Sequence, residues 1–190
     1  GCADGPPQLF GGRLGRLRLY RIDMKYVRDL AKVDDRVMST SPQAGKANRP
    51  FVGIVVPHEG RQYCVPLSSP KAKHEHMRND RDFTKVFDPK GRLIAVLNFN
   101  NMLPVDETVI DPVELKIGSD DDGALRAYKI LMRNEIEWCN AHADEIARKA
   151  ARLYRIVTEQ PERYRVLVRR CCDFKRLEAV LEVRAQHSGA

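Results

Sequence analysis

The sequence predicts an α+β fold, in which a small, strongly curved antiparallel β-sheet is followed by a helical layer. Two patterns support this fold class. As far as Ile117, β-branched or alternating segments are separated by short turns, as in antiparallel strands. From Ala124 onwards, apolar residues recur every three or four positions, as in amphipathic helices. The chain has 190 residues, of which 43% are hydrophobic, so we expect one core and a single domain.

The β-rich part begins with one strand and one short helix. Leucines and arginines alternate from Arg16 to Ile22, which predicts a strand. Asp23 can cap a helix from Met24 to Val33, whose apolar residues have helical spacing. Residues 1–15 are rich in glycine and proline and have no periodicity. We therefore expect a flexible leader or extension there, followed by a single domain at residues 16–190.

The centre of the β-rich part is a hairpin. Phe51 to Val56 is rich in β-branched residues, and Gln62 to Leu67 alternates with a period of two. His58-Glu59-Gly60 supplies the turn between them, because glycine can adopt a positive φ. A polar loop from Ser39 to Ala47 precedes the hairpin. The same criteria predict further strands at Phe83–Phe87, Leu93–Phe99, Met102–Val105 and Thr108–Ile117.

Helical periodicity covers most of the C-terminal part. It predicts two helices, or one long helix bent near Asn140-Ala141, and a further helical turn from Pro161. Asp173 is suited to cap a last helix. The acidic run from Ser119 to Asp122 directly precedes the first helix, so helix capping explains it better than metal binding.

The charge is distributed unevenly along the chain. The net charge is +7, and the first 100 residues carry 18 Lys and Arg against 10 Asp and Glu. Residues 101–190 are nearly neutral, with 15 basic and 16 acidic residues. A basic half beside a neutral half favours a polyanion as the partner, most often a nucleic acid. The alternative is an ordinary solvated lysine-rich surface.

Other sequence features exclude several classes of protein. The chain has no run of 18 apolar residues, which excludes a membrane-spanning helix, and its N-terminus has no apolar core of a secretion signal. Its five cysteines have neither zinc-site spacing nor the even number of a disulfide framework. The cytoplasm is therefore the expected location.

Hydroxyl and ammonium groups crowd the segment after the second hairpin strand. This segment contains Ser68, Ser69, Pro70, Lys71 and Lys73. Such groups at the rim of a sheet are suited to bind a phosphate. His74 and His76 follow, and they are either two exposed loop histidines or candidates for proton transfer, because the pKa of histidine is close to neutrality. Asn98 and Asn100 end a predicted strand, where amides either read base edges or satisfy backbone groups.

Three segments in one order resemble a known family. They read LYRIDMKYVRDL, then RPFVGIV with PLSSPK, then LNFNNMLPV, and they are followed by helices. Together they resemble the ToxN/AbiQ family, the ribonuclease toxins of type III toxin–antitoxin systems. The resemblance extends from Leu19 to Val183. It implies a compact β-barrel core like that of the MazF/Kid toxins, with helices added.

The resemblance also implies an active site. Ser68, Ser69 and Lys71 match its motif, with serine at a position that is often threonine in relatives. Tyr26 matches a tyrosine of the active-site groove, and Arg49 matches a basic position that is often lysine. Guanidinium does not readily lose a proton, so Arg49 is better suited to bind a phosphate than to transfer a proton. The candidates for further RNA contacts are Lys73, His74, Asn98 and Asn100.

RNA can be cleaved without a cofactor when its own 2′-hydroxyl is the nucleophile that attacks the adjacent phosphate. The chain has no metalloprotease HExxH motif, no phosphate-binding glycine-rich loop and no cluster of paired carboxylates. We therefore expect a metal-independent endoribonuclease that leaves 2′,3′-cyclic phosphate and 5′-hydroxyl ends. Two alternatives stay open: an RNA-binding β-barrel without catalysis, and an enzyme acting on a small phosphate compound.

The resemblance implies a specific inhibitor as well as a substrate. Cellular RNA is the expected substrate, and the expected partner is an RNA antitoxin of short pseudoknotted repeats that occupies the same basic groove. Toxin and antitoxin are then expected to form a closed assembly, possibly of three toxins with three RNAs. Family members act in abortive phage defence and in plasmid maintenance.

Overall fold

A computed structural model of the chain describes residues 16–38, 49–56 and 60–189. The expected leader at residues 1–15, the polar loop from Ser39 to Ala47 and most of the first hairpin turn lie outside the described residues. The strands within the described part are β1 (Leu19–Ile22), β2 (Phe51–Val56), β3 (Arg61–Ser68), β4 (Phe83–Phe87), β5 (Leu93–Asn98), β6 (Leu103–Pro104) and β7 (Ile110–Pro112).

Most of the helices follow the strands, as the sequence predicts. Helix α1 (Met24–Val33) lies between β1 and β2, and the short α2 (Ala72–His76) lies between β3 and β4. A 3₁₀ turn covers Phe99–Asn101. The C-terminal layer contains α3 (Gly123–Ala141), α4 (Ala143–Glu159), α5 (Arg165–Arg170) and α6 (Phe174–Ser188). The mixed α and β composition is confirmed. In the described residues, no helix has both the length and the apolar character needed to cross a membrane.

The strands form one antiparallel sheet in which β3 is the central strand. The order is β4-β5-β3-β2-β1-β7, and β6 also pairs with β3. One edge of β3 pairs with β2 along its length, from Phe51 opposite Pro66 to Val56 opposite Arg61. The other edge pairs first with β6 and then with β5. Strand β3 therefore connects two parts of the sheet, and its last residue, Ser68, reaches the rim.

The sheet is not closed in the described part of the chain. The path of paired strands ends at β4 on one side and at β7 on the other. The barrel that the resemblance implies is therefore not observed, whereas the antiparallel sheet is.

The first and the last strand are much shorter than the sequence predicts. The first starts at Leu19 because the backbone of Leu17 bonds the Asn140 side chain instead of a neighbouring strand, with distances of 2.7 Å from Leu17 N to Oδ1 and 3.2 Å from Nδ2 to Leu17 O. The predicted strand from Thr108 to Ile117 is reduced to β7. Asp106 turns the chain before it, accepting from the Thr108 N–H at 2.9 Å, and Glu114 turns it afterwards.

Carboxylates begin the main helices at the predicted positions. Asp23 accepts from the Lys25 N–H at 3.2 Å, and Asp173 accepts from the Arg176 N–H at 3.2 Å. Asp122 accepts from the Leu125 N–H at 2.7 Å, which confirms that the acidic run caps α3. The long helical segment divides at His142 into two helices rather than one bent helix.

Hydrogen bonds accepted by a buried carboxylate connect the helical layer to the central strand. Glu178 of α6 is only 2% exposed. Its Oε1 accepts from the Tyr63 hydroxyl of β3 at 2.9 Å and from the Tyr154 hydroxyl of α4 at 2.6 Å. The aromatic rings of Tyr63, Tyr154 and Phe174 pack around it. Helix α3 packs against β4 and β5 and supplies residues that line a cavity.

Candidate active site

A cavity of about 780 Å³ lies beside the end of β3. Ser68, Ser69, Lys71 and Lys73 line one side, which we call the loop wall. Tyr128, Leu131 and Glu135 of α3 line another side, which we call the helix wall. Other lining residues include Met38, Arg49, His74, Asn98 and Asn101. Of the nine residues that the sequence predicts for the site, seven line this cavity, whereas Tyr26 and Asn100 do not.

The pairing of β3 with β5 positions Ser68. Leu67 lies opposite Leu97 and Ser68 opposite Val96, so the ends of both strands are adjacent. Asn98 at the end of β5 donates from Nδ2 to Ser68 Oγ at 2.6 Å. The Ser68 hydroxyl accepts this bond and keeps its own proton for donation to a ligand. Asn98 therefore supports the loop wall.

His74 organises the backbone of the loop wall. The Lys71 N–H donates to His74 Nδ1 at 2.8 Å, and the His74 N–H donates to the Lys71 carbonyl at 2.8 Å. This reciprocal pair starts α2 at Lys71, in the manner of a capping box with histidine at the third position. It fixes where the Lys71 side chain leaves the backbone. Lys71 and Lys73 are themselves exposed.

The environment of His74 favours the neutral imidazole. His74 as a residue is 8% exposed, so the prediction of an exposed loop histidine is wrong for His74, whereas His76 is exposed as predicted. Burial lowers the pKa of His74 below its usual value, and the positive charges of Lys73, Lys71 and Lys85 lower it further. Because Nδ1 accepts from a backbone N–H, the proton of the neutral ring is on Nε2. Protonation of Nδ1 would break the bond to Lys71.

Arg49, which lies two residues before β2, brings a guanidinium to the cavity. The side chain is partly buried, and its Nη1 lies 3.4 Å from Met38 Sδ. Burial lowers the pKa of Arg49. Among the described carboxylates none forms an ion pair with this guanidinium, which leaves its donors available to an anion.

Tyr26 lies in the core and not in the cavity. It is 0% exposed, and its hydroxyl donates to the Pro104 carbonyl of β6 at 2.6 Å. Burial raises the pKa of Tyr26. Tyr26 is buried together with Val27 and Leu30 of α1, and the cavity does not include the groove position that the resemblance implies for it.

The asparagines after β5 mainly satisfy backbone groups. Asn100 donates from Nδ2 to the Arg170 carbonyl at 3.1 Å, and its own carbonyl accepts from the Cys172 N–H at 2.8 Å. It thereby connects the sheet to the end of α5, and a direct RNA contact by Asn100 finds no support in the cavity. Asn101 lines the cavity and donates to the Arg36 carbonyl at 2.7 Å.

The helix wall contains groups that the sequence does not point to as a site. Tyr128, Leu131 and Glu135 have helical spacing and line the cavity, whereas Met132, Ile136 and Cys139 of the same helix are buried. Glu135 is 5% exposed, and burial raises its pKa to about 7. A carboxylate within an apolar helical stripe is the sequence signal that could have identified it.

The cavity has the chemistry of a phosphate site beside a less polar wall. Two hydroxyls, two ammonium groups and a guanidinium line the cavity, and they come from the end of β3, the loop and helix that follow it, and the segment just before β2. In the part of the chain that the structure describes, no three His, Cys, Asp or Glu side chains are arranged to hold a metal ion. These features define a basic α+β protein that can bind a phosphate-containing polyanion beside the end of its central strand.

Comparison with known proteins gives the family. The family model described as "Toxin ToxN, type III toxin-antitoxin system" matches residues 18–182. The chain therefore belongs to this family of toxins, which confirms the resemblance seen in its motifs.

Similar proteins span nearly the whole chain. Endoribonuclease ToxN of Bacillus thuringiensis subsp. kurstaki is 28% identical over 85% of this chain and 80% of its own length. Endoribonuclease ToxN of Pectobacterium atrosepticum is 26% identical over 75% of this chain and 82% of its own length.

Solved structures share the fold. A type III toxin described as selectively inhibited by a non-coding RNA pseudoknot has a TM-score of 0.75 and 26% identity, covering 89% of this chain and 98% of the solved chain. AbiQ, described as a lactococcal anti-phage endoribonuclease, has a TM-score of 0.76 and 22% identity, covering 90% of this chain and 99% of the solved chain. At this level of identity, the likeness to AbiQ concerns the fold.

Proposed function

We propose that this chain is an endoribonuclease toxin of a type III toxin–antitoxin system and that the cavity beside β3 is its active site. One observation carries the proposal. Ser68, Ser69, Lys71 and Arg49, which the family resemblance singles out, all line one cavity, although Arg49 precedes β2 and the other three lie at or after the end of β3. Family membership and the endoribonuclease names of the relatives support the same activity.

The reaction needs a base near the 2′-hydroxyl, an acid near the leaving 5′-oxygen and positively charged donors around the phosphorus. The 2′-hydroxyl of the RNA gives up its proton and attacks the adjacent phosphorus, and the bond from phosphorus to the 5′-oxygen breaks. The 5′-oxygen takes up a proton, so the products carry a 2′,3′-cyclic phosphate and a 5′-hydroxyl. Lys71 and Arg49 bind the phosphate oxygens, whose negative charge increases in the transition state. Ser68 and Ser69 donate hydrogen bonds to the same phosphate or to the 2′-hydroxyl. Lys73 contacts a neighbouring phosphate. The scheme requires no cofactor.

Two of the sequence-based roles take a different form in this proposal. His74 supports Lys71 through its backbone and does not contact RNA, because its ring is buried and its Nδ1 is already bonded. Asn98 contributes through Ser68, to which it donates. Tyr26 and Asn100 have no direct role in cleavage.

The test is cleavage in the absence of free metal. Purified protein is incubated with mixed cellular RNA in excess EDTA, and the ends of the fragments are analysed. We expect 2′,3′-cyclic phosphate and 5′-hydroxyl ends, with a loss of at least ~100-fold in rate for Lys71→Ala. Lys90→Ala is the matched control, because Lys90 is exposed in the turn between β4 and β5 and lies outside the cavity. RNA that is bound but stays intact would support the alternative of an RNA-binding module without catalysis.

The partner that we propose is an RNA antitoxin with pseudoknotted repeats that fills the same cavity and is cut at its repeats. Inhibition of a solved relative by an RNA pseudoknot supports this partner. An assembly of three toxins with three RNAs, a core like that of MazF/Kid and action in the cytoplasm stay predictions. The free, buried state of Cys64, Cys139, Cys171 and Cys172 is consistent with a reducing compartment.

A further inference from the structure

The amides in and near the cavity donate to other protein groups. Asn98 donates to the Ser68 hydroxyl, Asn100 to the Arg170 carbonyl, and Asn101 to the Arg36 carbonyl. These bonds hold the walls in place. A nucleobase would therefore be recognised by a different polar group, one with an atom that is not already hydrogen-bonded to the protein.

Glu135 is such a group. Its side chain lines the cavity, its residue is 5% exposed, and its buried Oε2 has no hydrogen-bond partner. It forms no ion pair with any cation that the structure describes, although Arg49, Lys71 and Lys73 line the same cavity. A buried acceptor without a partner costs free energy, which a ligand that donates to it can offset.

The ligand group that suits Glu135 is an N–H donor. Phosphate is unsuitable because it is an anion, and the lysines of the loop wall already attract it. Nucleobases carry N–H groups on their edges, and splayed bases of single-stranded RNA are read there while they stack on aromatic rings. Tyr128, two helical turns before Glu135, places an aromatic residue on the same wall.

Guanine matches a carboxylate better than the other bases do. Its Watson–Crick edge presents two adjacent donors, N1–H and the 2-amino group, to the two carboxylate oxygens. Adenine and cytosine present one amino group beside a ring acceptor, and uracil presents one N–H between two carbonyls. Both kinds of acceptor repel a carboxylate. Burial raises the pKa of Glu135 to about 7, and two N–H donors favour the ionised form when the base is bound.

We propose that Glu135 determines sequence specificity by binding the Watson–Crick edge of a guanine in the bound RNA. The inference rests on the proposed function, and it goes further by naming the base and the residue that reads it. The loop wall holds the phosphates, and the helix wall holds the base.

The experiment compares guanine with inosine, which lacks only the 2-amino group. A randomised single-stranded RNA pool is first cleaved in EDTA, and we expect guanine at one fixed position relative to the cut. Oligonucleotides with guanine or inosine at that position are then compared. For the wild-type chain we expect kcat/KM to fall about 10-fold with inosine. The side-chain amide in Glu135→Gln has only one acceptor, so we expect kcat/KM with guanine to lie within about 2-fold of kcat/KM with inosine for this variant.

The control variant is Glu137→Gln, because Glu137 is exposed on the same helix. This variant should keep the wild-type ratio of kcat/KM with guanine to kcat/KM with inosine. No guanine preference at any position, or an unchanged ratio in Glu135→Gln, would overturn the inference. So would an equal loss of kcat on every oligonucleotide, which would identify a proton-transfer role instead. If the wild-type chain cleaves nothing, the proposed function fails, and fluorescence anisotropy with 2′-O-methyl versions of a guanine-containing RNA and its inosine counterparts still measures the base preference in binding.

Discussion

At the scale of single residues, His74 influences the site through the backbone of Lys71. A capping box usually has Glu or Gln at the third helical position, reaching back to the backbone N–H of the cap residue. Here the imidazole fills that role, with 2.8 Å between Lys71 N and Nδ1. A glutamine side chain also offers an acceptor oxygen at this position, whereas alanine offers none.

We therefore expect His74→Gln to cleave RNA at a rate within about 3-fold of the wild type, and His74→Ala to lose about 10-fold, in line with the ~1 kcal/mol that helix caps contribute. The measurement is kcat/KM on one RNA, with circular dichroism to confirm folding. If His74 instead contacted RNA or transferred a proton, both variants would lose activity to the same extent, and that result would contradict the positioning role.

The pH dependence of this residue has a definite sign. Because the pKa of His74 is lowered from its usual value of 6.5, the unfolded chain takes up the proton at a higher pH than the folded chain does. The contribution of His74 to stability is therefore complete above about pH 6.5 and falls as the pH decreases towards the folded pKa. For His74→Gln, we expect neither the free energy of unfolding in urea nor the rate of cleavage to show this loss at low pH.

At the scale of elements, sequence periodicity predicted which segments are strands but not how they pair. The hairpin strands and β4 were confirmed, because alternation and turn residues are local signals. The pairing of β3 with both β5 and β6 depends on contacts between distant segments, so no local pattern reveals it. The same holds for Leu17, whose backbone is bonded by Asn140 instead of continuing β1.

Helix α1 is attached to the sheet by the Tyr26 hydroxyl, and this attachment yields a test that separates structure from catalysis. Tyr26→Phe removes a buried bond of 2.6 Å to the Pro104 carbonyl and leaves that acceptor without its partner. We expect the free energy of unfolding, measured in urea, to fall by about 1–2 kcal/mol. Cleavage well below the melting temperature should be unchanged. If Tyr26→Phe lost cleavage but kept the wild-type free energy of unfolding, Tyr26 would instead be part of the active site.

At the scale of the whole molecule, the cavity combines residues that are far apart in the sequence. The loop wall could be predicted, because hydroxyls and lysines directly follow a strand and match a family motif. The helix wall could not, since it forms only when α3 packs against β4 and β5, more than fifty residues after the loop. From the sequence, Glu135 is only one polar residue of a helix, and the fold places it in the same cavity as the lysines.

The uneven charge of the chain also acts at this scale, and it predicts how RNA binding responds to salt. The first 100 residues carry most of the basic excess, and they supply Arg49, Lys71 and Lys73 to the cavity. Each phosphate of a single strand that is neutralised contributes about −0.7 to the slope of log K against log salt concentration. We expect Lys71→Ala and Lys73→Ala each to make the slope less negative by ~0.7.

The measurement is fluorescence anisotropy with a 2′-O-methyl RNA, which binds without providing the attacking hydroxyl, at several salt concentrations. Lys90→Ala should leave the slope unchanged, because Lys90 has the same charge but lies outside the cavity. If all three variants changed the slope equally, the basic surface would bind RNA diffusely, and the loop wall would not be its principal phosphate site. A change restricted to Lys71 and Lys73 requires phosphates at the loop wall, next to the Ser68 and Ser69 hydroxyls that act in the proposed reaction.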